Sequence, residues 1–83
     1  MFNRERRTVT IDGQDIVLVE LSADDMARLM SIEDDNEQTR EMLAASVESP
    51  AVTAADVGSW PSRIVTQILN ESLGLNGLSS EGN

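Results

Sequence analysis

Residues 8–19, TVTIDGQDIVLV, carry the clearest structural signal in this chain. Two runs rich in β-branched residues flank the pair Asp12-Gly13, and Asp-Gly in that position is a strong signal for a two-stranded hairpin. We predict strands over residues 7–11 and 16–20, so that the hairpin covers about residues 7–20. The second strand is apolar on both faces, so we expect one face to join the core and the other to meet helices or another protein.

The rest of the chain predicts three to four short helices. Two of them begin at capping sequences, Ser22 with Asp25 and Thr53 with Asp56, in which the hydroxyl and the acid satisfy free amide groups. The expected helices cover about residues 23–33, 37–47, 54–58 and 61–73. The fold class is therefore mainly α, of the α+β type, with the N-terminal hairpin preceding the helices.

Sequence features also predict where the helices begin and end. Asp35 or Asn36 is the expected cap of the second helix, and Pro50 excludes any longer extension of it. Pro61 suits the first position of the last helix, and Gly74 its left-handed C-terminal stop. The last helix carries a broad apolar stripe formed by Ile64, Val65, Ile68, Leu69 and Leu73.

The length and composition fit one small domain. The chain has 83 residues, too few for two domains that each bury a core. We predict one domain over residues 1–78 and a flexible tail over residues 79–83. Phe2 and Trp60 are the only aromatic residues, so the core has to be mainly aliphatic. Trp60 is expected to be either a keystone of that core or an anchor for a partner.

Charge and missing residue types exclude several classes of function. Fifteen acidic residues against six arginines give a net charge of −9, which argues against naked nucleic acid as a partner. The absence of Cys and His removes thiolate chemistry, disulfides and the usual base and metal ligand. We therefore predict no enzyme activity, no cofactor and no metal. No apolar run approaches the roughly 20 residues that cross a bilayer, so we expect no membrane partner either.

One basic cluster precedes an acidic body. It consists of Arg4, Arg6 and Arg7, whereas the chain from Thr8 onward has three arginines and fourteen acidic residues, a net charge of −11. We expect the basic segment to be a solvated chain end, and adhesion to an acidic surface is the alternative.

Three chemical interpretations are weaker than structural ones. They are a general acid and base pair among the carboxylates, a calcium-binding loop, and the modified serine of an acyl carrier protein. Acids in the first turns of predicted helices stabilise the helix dipole, which explains Asp24, Asp25, Glu37 and Glu41. A calcium loop beginning at Asp34 would place Thr39 where Gly is needed and Ala45 where Glu is needed, which excludes an EF-hand. Ser72 lies in a faint match to the acyl carrier sequence, but it falls late in the last helix rather than at a helix start.

Taken together, several segments resemble the small tail assembly chaperones of long-tailed bacteriophages. They are the hairpin with Asp12-Gly13, residues 19–22 (VELS), residues 53–57 (TAADV), Trp60-Pro61, the apolar helix of residues 64–73 and the ending at residues 75–78 (LNGL). The resemblance implies a non-structural viral protein of the host cell cytoplasm. Such a protein would bind the tape measure protein, keep it soluble and promote polymerisation of the tail tube protein. Self-association is a further expectation, which the net charge of −9 opposes.

The resemblance also directs attention to apolar residues as protein contacts. The candidates are Ile16, Leu18, Trp60, Ile68, Leu69, Leu73, Leu75 and Leu78. Some of these have to form the protein's own core, so this set is larger than the true contact surface.

Two other functions are consistent with the sequence. An acidic regulator or nucleic-acid mimic would bind a basic host protein through carboxylates, with Asp24, Asp25, Asp34, Asp35 and Glu37 as its candidates. Its affinity would collapse with salt, whereas apolar contacts would persist. A minor tail structural protein is the other alternative, and it would be found in purified virions.

Overall fold

A computed structural model describes residues 1–78, which form a three-stranded antiparallel sheet and four helices. The elements in chain order are β1 (Arg6–Ile11), β2 (Gln14–Val19), α1 (Ala23–Met30), α2 (Asp35–Ser46), β3 (Val47–Ser49), α3 (Ala54–Gly58) and α4 (Ser62–Leu75). The predicted α+β class, a hairpin followed by helices, is confirmed. The predicted tail, residues 79–83, lies outside the described residues.

β1 and β2 form the predicted hairpin through a tighter turn than expected. Asp12 and Gly13 are its two central residues, with φ angles of 56° and 82°. Positive φ at both positions is what a type I′ turn requires, and Asp and Gly tolerate it. Gln14 already pairs with Ile11, so the connection has two residues where the sequence predicted four.

The third strand, β3, is absent from the sequence prediction. We expected a helix to continue to residue 47, but α2 ends at Ser46 and β3 pairs antiparallel with β2. The sheet order is β1-β2-β3, with a shift of register where Glu48 lies between Val47 and Ser49. A strand of three residues is too short to show a period of two, so its sequence carried no signal.

The first two helices are displaced from their predicted bounds. α1 begins at its capping box as predicted, with the amide of Asp25 donating to the Ser22 hydroxyl at 3.0 Å. It ends at Met30 rather than at residue 33. The cap of α2 is Asp34, whose carboxylate accepts from the Glu37 amide at 2.8 Å. Our choice of Asp35 or Asn36 was wrong because the early end of α1 lets residue 34 adopt the extended conformation of a cap.

The last helix continues past its predicted stop. α4 begins one residue after Pro61 and passes through Gly74 to Leu75, so the prediction of a stop at Gly74 was wrong. The left-handed residue is Gly77, with a φ of 71°. The Leu78 amide donates to the Leu73 carbonyl at 2.8 Å, and the Gly77 amide to the Gly74 carbonyl at 3.2 Å. These two bonds define a Schellman motif, which satisfies carbonyl groups that the helix end leaves free.

The core lies between one face of the sheet and helices α2, α3 and α4. It consists of Ile11, Ile16, Leu18, Leu43, Val47, Val57, Ile68 and Leu75. Two serines are also fully buried, Ser46 on α2 and Ser72 on α4, and their hydroxyl groups are hydrogen-bonded at 2.9 Å. Both hydroxyls are thus satisfied inside an apolar core, which removes the penalty of burying them.

The N-terminal arginines lie against the acidic body. Each forms an ion pair with a different element: Arg4 with Asp25 at 3.7 Å, Arg6 with Glu48 at 2.6 Å and Arg7 with Glu71 at 3.3 Å. All three arginines are exposed, as expected, but Arg6 and Arg7 lie in β1 and not in a free chain end. The acids that pair with them are far apart in sequence, and only the fold brings them to one end of the hairpin.

Candidate functional site

The structure divides the eight candidate contact residues between the core and two surface grooves. Leu18 and Ile68 have no exposed surface, and Ile16 and Leu75 are also buried. A partner could reach Leu18 or Ile68 directly only if the core opened. Leu69 is half-buried and packs against the core cluster. The remaining candidates, Trp60, Leu73 and Leu78, line grooves that are open to solvent.

The first groove lies between α1, α2 and the end of α4, and we call it the methionine groove. It is lined by Met26, Leu29, Met30, Met42, Leu73 and Leu78, together with Gln38 and Thr39. Its volume is about 200 Å³. Three of the four methionines of the chain therefore meet in one place, although they come from two separate helices.

The exposure of this groove is unusual for such large apolar side chains. Met30 is 66% exposed and Leu78 is 51% exposed, whereas Leu29 forms a buried floor beneath them. Gln38 fixes the two helices at the groove by donating from its side-chain amide to the Leu29 carbonyl at 2.9 Å. The same carbonyl also accepts from the Ile32 amide at 3.1 Å, so the turn after α1 and the Gln38 side chain of α2 meet at one acceptor.

Leu78 is positioned by the Leu-Asn-Gly-Leu ending of residues 75–78. Leu75 is buried, and the side-chain oxygen of Asn76 accepts from the Leu21 amide at 2.9 Å, which ties the helix end to the segment between β2 and α1. Gly77 then takes the left-handed conformation that brings Leu78 back beside Leu73 in the groove. These residues, part of the resemblance stated above, thus have a clear structural role here.

In the sequence alone, Met26, Met30 and Met42 fit both ordinary core filling and an adaptable surface. The spacing of four residues between Met26 and Met30 puts both on one helix face, which is the signal that could have identified the groove. The contribution of Met42 from α2 was not predictable, because the packing of α2 against α1 depends on the tertiary fold.

Chemically, the methionine groove offers flexible apolar contact without charge among its lining residues in the described part of the chain. Methionine is unbranched and polarisable, so it adapts to partners of different shape. Grooves of this kind between helices commonly accept the apolar face of another helix.

The second groove lies between the hairpin turn, the loop after β3 and the start of α4, and we call it the tryptophan groove. Its volume is about 340 Å³. The apolar lining is formed by Ile11, Ile16, Val47, Val52, Ile64 and Ile68, with Pro50, Trp60 and Pro61. Three polar side chains, Asp12, Gln14 and Asp56, complete it.

Trp60 lies partly in the core and partly at a groove. Its side chain is half-buried and packs against the core cluster, yet it also lines the tryptophan groove. An indole in this position adds apolar area and a π face to a surface that solvent can reach.

Two features are absent from residues 1–78. No three Asp or Glu side chains in this part of the chain are grouped so that they could hold a metal ion. None of the described helices is both long enough and apolar enough to cross a membrane.

Comparison of the chain with known protein families, with curated proteins and with solved structures gives no match.

Proposed function

We propose that this protein is a non-enzymatic tail assembly chaperone of a long-tailed bacteriophage. In the host cell cytoplasm it would bind the tape measure protein, keep it soluble, and release it as the tail tube protein polymerises. The observation that supports the proposal best is the methionine groove, where Met30 and Leu78 expose most of their apolar surface beside half-buried Leu73.

The groove suits a long helical client. Large exposed apolar side chains gathered in one place are typical of protein-binding surfaces rather than of an inert surface. A chaperone that coats a long helix has to contact turns of different sequence, and methionine side chains repack with little loss of contact. Three methionines from α1 and α2 supply that adaptability, and Leu73 and Leu78 extend the surface to the end of α4.

The net charge supports the same proposal. A charge of −9 on 83 residues opposes association between copies of the protein, even though each copy exposes an apolar groove. Apolar contact combined with long-range repulsion gives binding that is reversible and a complex that stays dispersed. Both properties are needed if polymerising tube protein is to displace the chaperone.

Co-expression with a tape measure fragment tests the proposal. The fragment should be insoluble alone and should become soluble and co-purify with the wild-type chaperone. Met30→Asp combined with Leu78→Asp should reduce the recovered complex at least about tenfold, because charges would enter the apolar contact. Both positions are exposed, so the variant should keep the wild-type circular dichroism spectrum.

Phe2→Asp provides the matched control. Phe2 is also a large exposed apolar residue, but it does not line the methionine groove. The control should rescue the fragment as well as the wild type does. Full rescue by the folded double variant would show that the methionine groove is not the contact surface.

Two further outcomes separate the proposal from the other functions. If the complex dissociates in moderate salt, contact is dominated by carboxylates, as in an acidic regulator or nucleic-acid mimic. If the polypeptide is found in purified virions, it is a tail structural protein. The proposal requires a complex that survives salt and a protein that is absent from the virion.

A further inference from the structure

The tryptophan groove combines one aromatic side chain, two carboxylates and an apolar floor. Asp12 comes from the hairpin turn, Asp56 from α3, and Trp60 from the segment between α3 and α4. Within residues 1–78, none of the side chains that line the groove is positively charged. This composition is complementary to a side chain that is apolar along its length and positively charged at its end.

We propose that the tryptophan groove binds an arginine or lysine side chain of a partner polypeptide. The methylene groups of that side chain would lie on the apolar lining beside Ile64, which is half-buried, as long cationic side chains do on apolar surfaces. The charged end would be attracted by the face of Trp60 and by the carboxylates of Asp12 and Asp56. The groove volume of about 340 Å³ is within the usual range of ligand pockets.

Asp56 has an oxygen available for this contact. Its Oδ2 accepts from the Thr53 amide at 2.9 Å in the capping box of α3. Its Oδ1 accepts no hydrogen bond from the described residues. Asp56 can therefore keep its structural bond to Thr53 while the other oxygen receives a cationic group.

Asp12 has a partner that an incoming cation can replace. Arg63 Nη2 lies 3.4 Å from Asp12 Oδ2, and both side chains are more than half exposed. An ion pair of this kind contributes little stability because water screens it and two long side chains have to be ordered. Exchanging Arg63 for a partner's arginine or lysine would therefore cost little.

This inference does not depend on the proposed chaperone function. The tryptophan groove and the methionine groove have no lining residue in common, and they are formed by different elements apart from α4. The net charge of −9 would favour the approach of a cationic segment to either face, so the specific claim concerns the groove itself.

The fluorescence of Trp60 reports binding directly, because the chain has one tryptophan and no tyrosine. The full-length protein is titrated with two capped peptides that differ only in their central residue, which is arginine in one and citrulline in the other, flanked by leucines. Citrulline keeps the length and shape of arginine but has no charge. We expect a saturable change in emission with the arginine peptide and at least about fivefold weaker binding of the citrulline peptide.

Three variants locate the contact. Asp12→Asn and Asp56→Asn should each weaken binding of the arginine peptide roughly two- to fivefold, which is the effect of losing one exposed charge pair. Asn also tolerates positive φ, so the turn at residue 12 is kept. Asp24→Asn removes an exposed acid on α1 that does not line the groove, and it should leave the affinity unchanged. Circular dichroism confirms that each variant is folded.

Several results would overturn the inference. Equal affinity for the citrulline peptide would make the groove a purely apolar site. An equal loss of affinity in Asp24→Asn and Asp56→Asn would show diffuse attraction by the acidic surface. Unchanged Trp60 emission with both peptides would show that the groove binds neither.

Discussion

Arg6 on β1 and Glu48 on β3 are joined across the intervening strand, with Arg6 Nε donating to Glu48 Oε1 at 2.6 Å. Glu48 lies where the register between β2 and β3 shifts. The hydrogen bond from Arg6 lowers the pKa of the Glu48 carboxyl below its usual value, and it raises the pKa of the Arg6 guanidinium. The pair thus connects the two edge strands of the sheet on its exposed side.

The first prediction concerns the acid stability of this pair. Because the pKa of Glu48 is lowered in the folded state, its ion pair stabilises the fold above the usual pKa of Glu and is lost as pH falls through the lowered pKa. Glu48→Gln removes the charge but keeps a hydrogen-bond acceptor. In urea unfolding, the difference between wild type and variant should be largest near pH 7 and should vanish in acid.

Glu33→Gln is the control for that experiment, since Glu33 is exposed and forms none of the ion pairs within residues 1–78. The difference in the free energy of unfolding between Glu33→Gln and the wild type should not show the loss in acid that is expected for Glu48→Gln. Added salt should reduce the effect of Glu48→Gln because the pair is exposed. A difference that stays constant from pH 7 into acid would show that the carboxylate charge does not stabilise the fold.

The second prediction tests which glycine ends α4. Gly77 has positive φ, so Gly77→Ala should destabilise the protein by about 1 kcal/mol, although there is open space for the new methyl group. Gly74 lies inside the helix, where Ala is more favourable by up to about 1 kcal/mol. An added Cβ at residue 74 would meet only the tip of Arg7, at an ordinary 3.8 Å. Gly74→Ala should therefore stabilise the protein.

In thermal unfolding, the midpoint should fall for Gly77→Ala and rise for Gly74→Ala. The interpretation of Gly74 as the stop of α4 requires the reverse order. Destabilisation by Gly74→Ala together with a neutral Gly77→Ala would restore that interpretation and contradict the Schellman motif.

The third prediction concerns the side chain of Asn76. It accepts from the Leu21 amide at 2.9 Å and donates to the Ser72 carbonyl at 2.8 Å. The Ser72 carbonyl also accepts from the backbone amide of residue 76 at 3.0 Å, so Asn76→Ala leaves the partly buried Leu21 amide as the unpaired group. We expect a loss of about 1–3 kcal/mol in the free energy of unfolding. Asn70→Ala on the exposed side of the same helix should change it by less than about 0.5 kcal/mol. Equal effects at the two positions would show that the bond to Leu21 is unimportant.

The features that the sequence predicted correctly depend on neighbouring residues. The hairpin follows from Asp12-Gly13 between β-branched runs, and the helix starts follow from Ser22 and Thr53 with an acid three residues later. These signals act within one turn, so no knowledge of the packing is needed. The end of α4 was missed because two glycines, Gly74 and Gly77, lie near the end of the apolar stripe and both match the C-terminal signal of a helix.

Features that depend on distant residues were not predictable. β3 forms because β2 presents an edge to it, and the N-terminal arginines pair with acids up to 64 residues away. Among the candidate contacts, the sequence could not separate the buried Leu18 from the exposed Leu78. Both are leucines in apolar segments, and only the packing determines which one solvent can reach. The methionine groove could not be predicted because it forms only where α1, α2 and the end of α4 pack together.

The last prediction separates core from contact surface by the same substitution at two candidates. Leu18 is fully buried, so Leu18→Ala should lower the free energy of unfolding by about 2–5 kcal/mol through lost contact and a cavity. Leu78 is half exposed, so Leu78→Ala should cost less than about 1 kcal/mol while weakening capture of the helical client. Urea unfolding and co-purification measure the two effects separately. A large loss of stability from Leu78→Ala would place this residue in the core and remove it from the proposed binding surface.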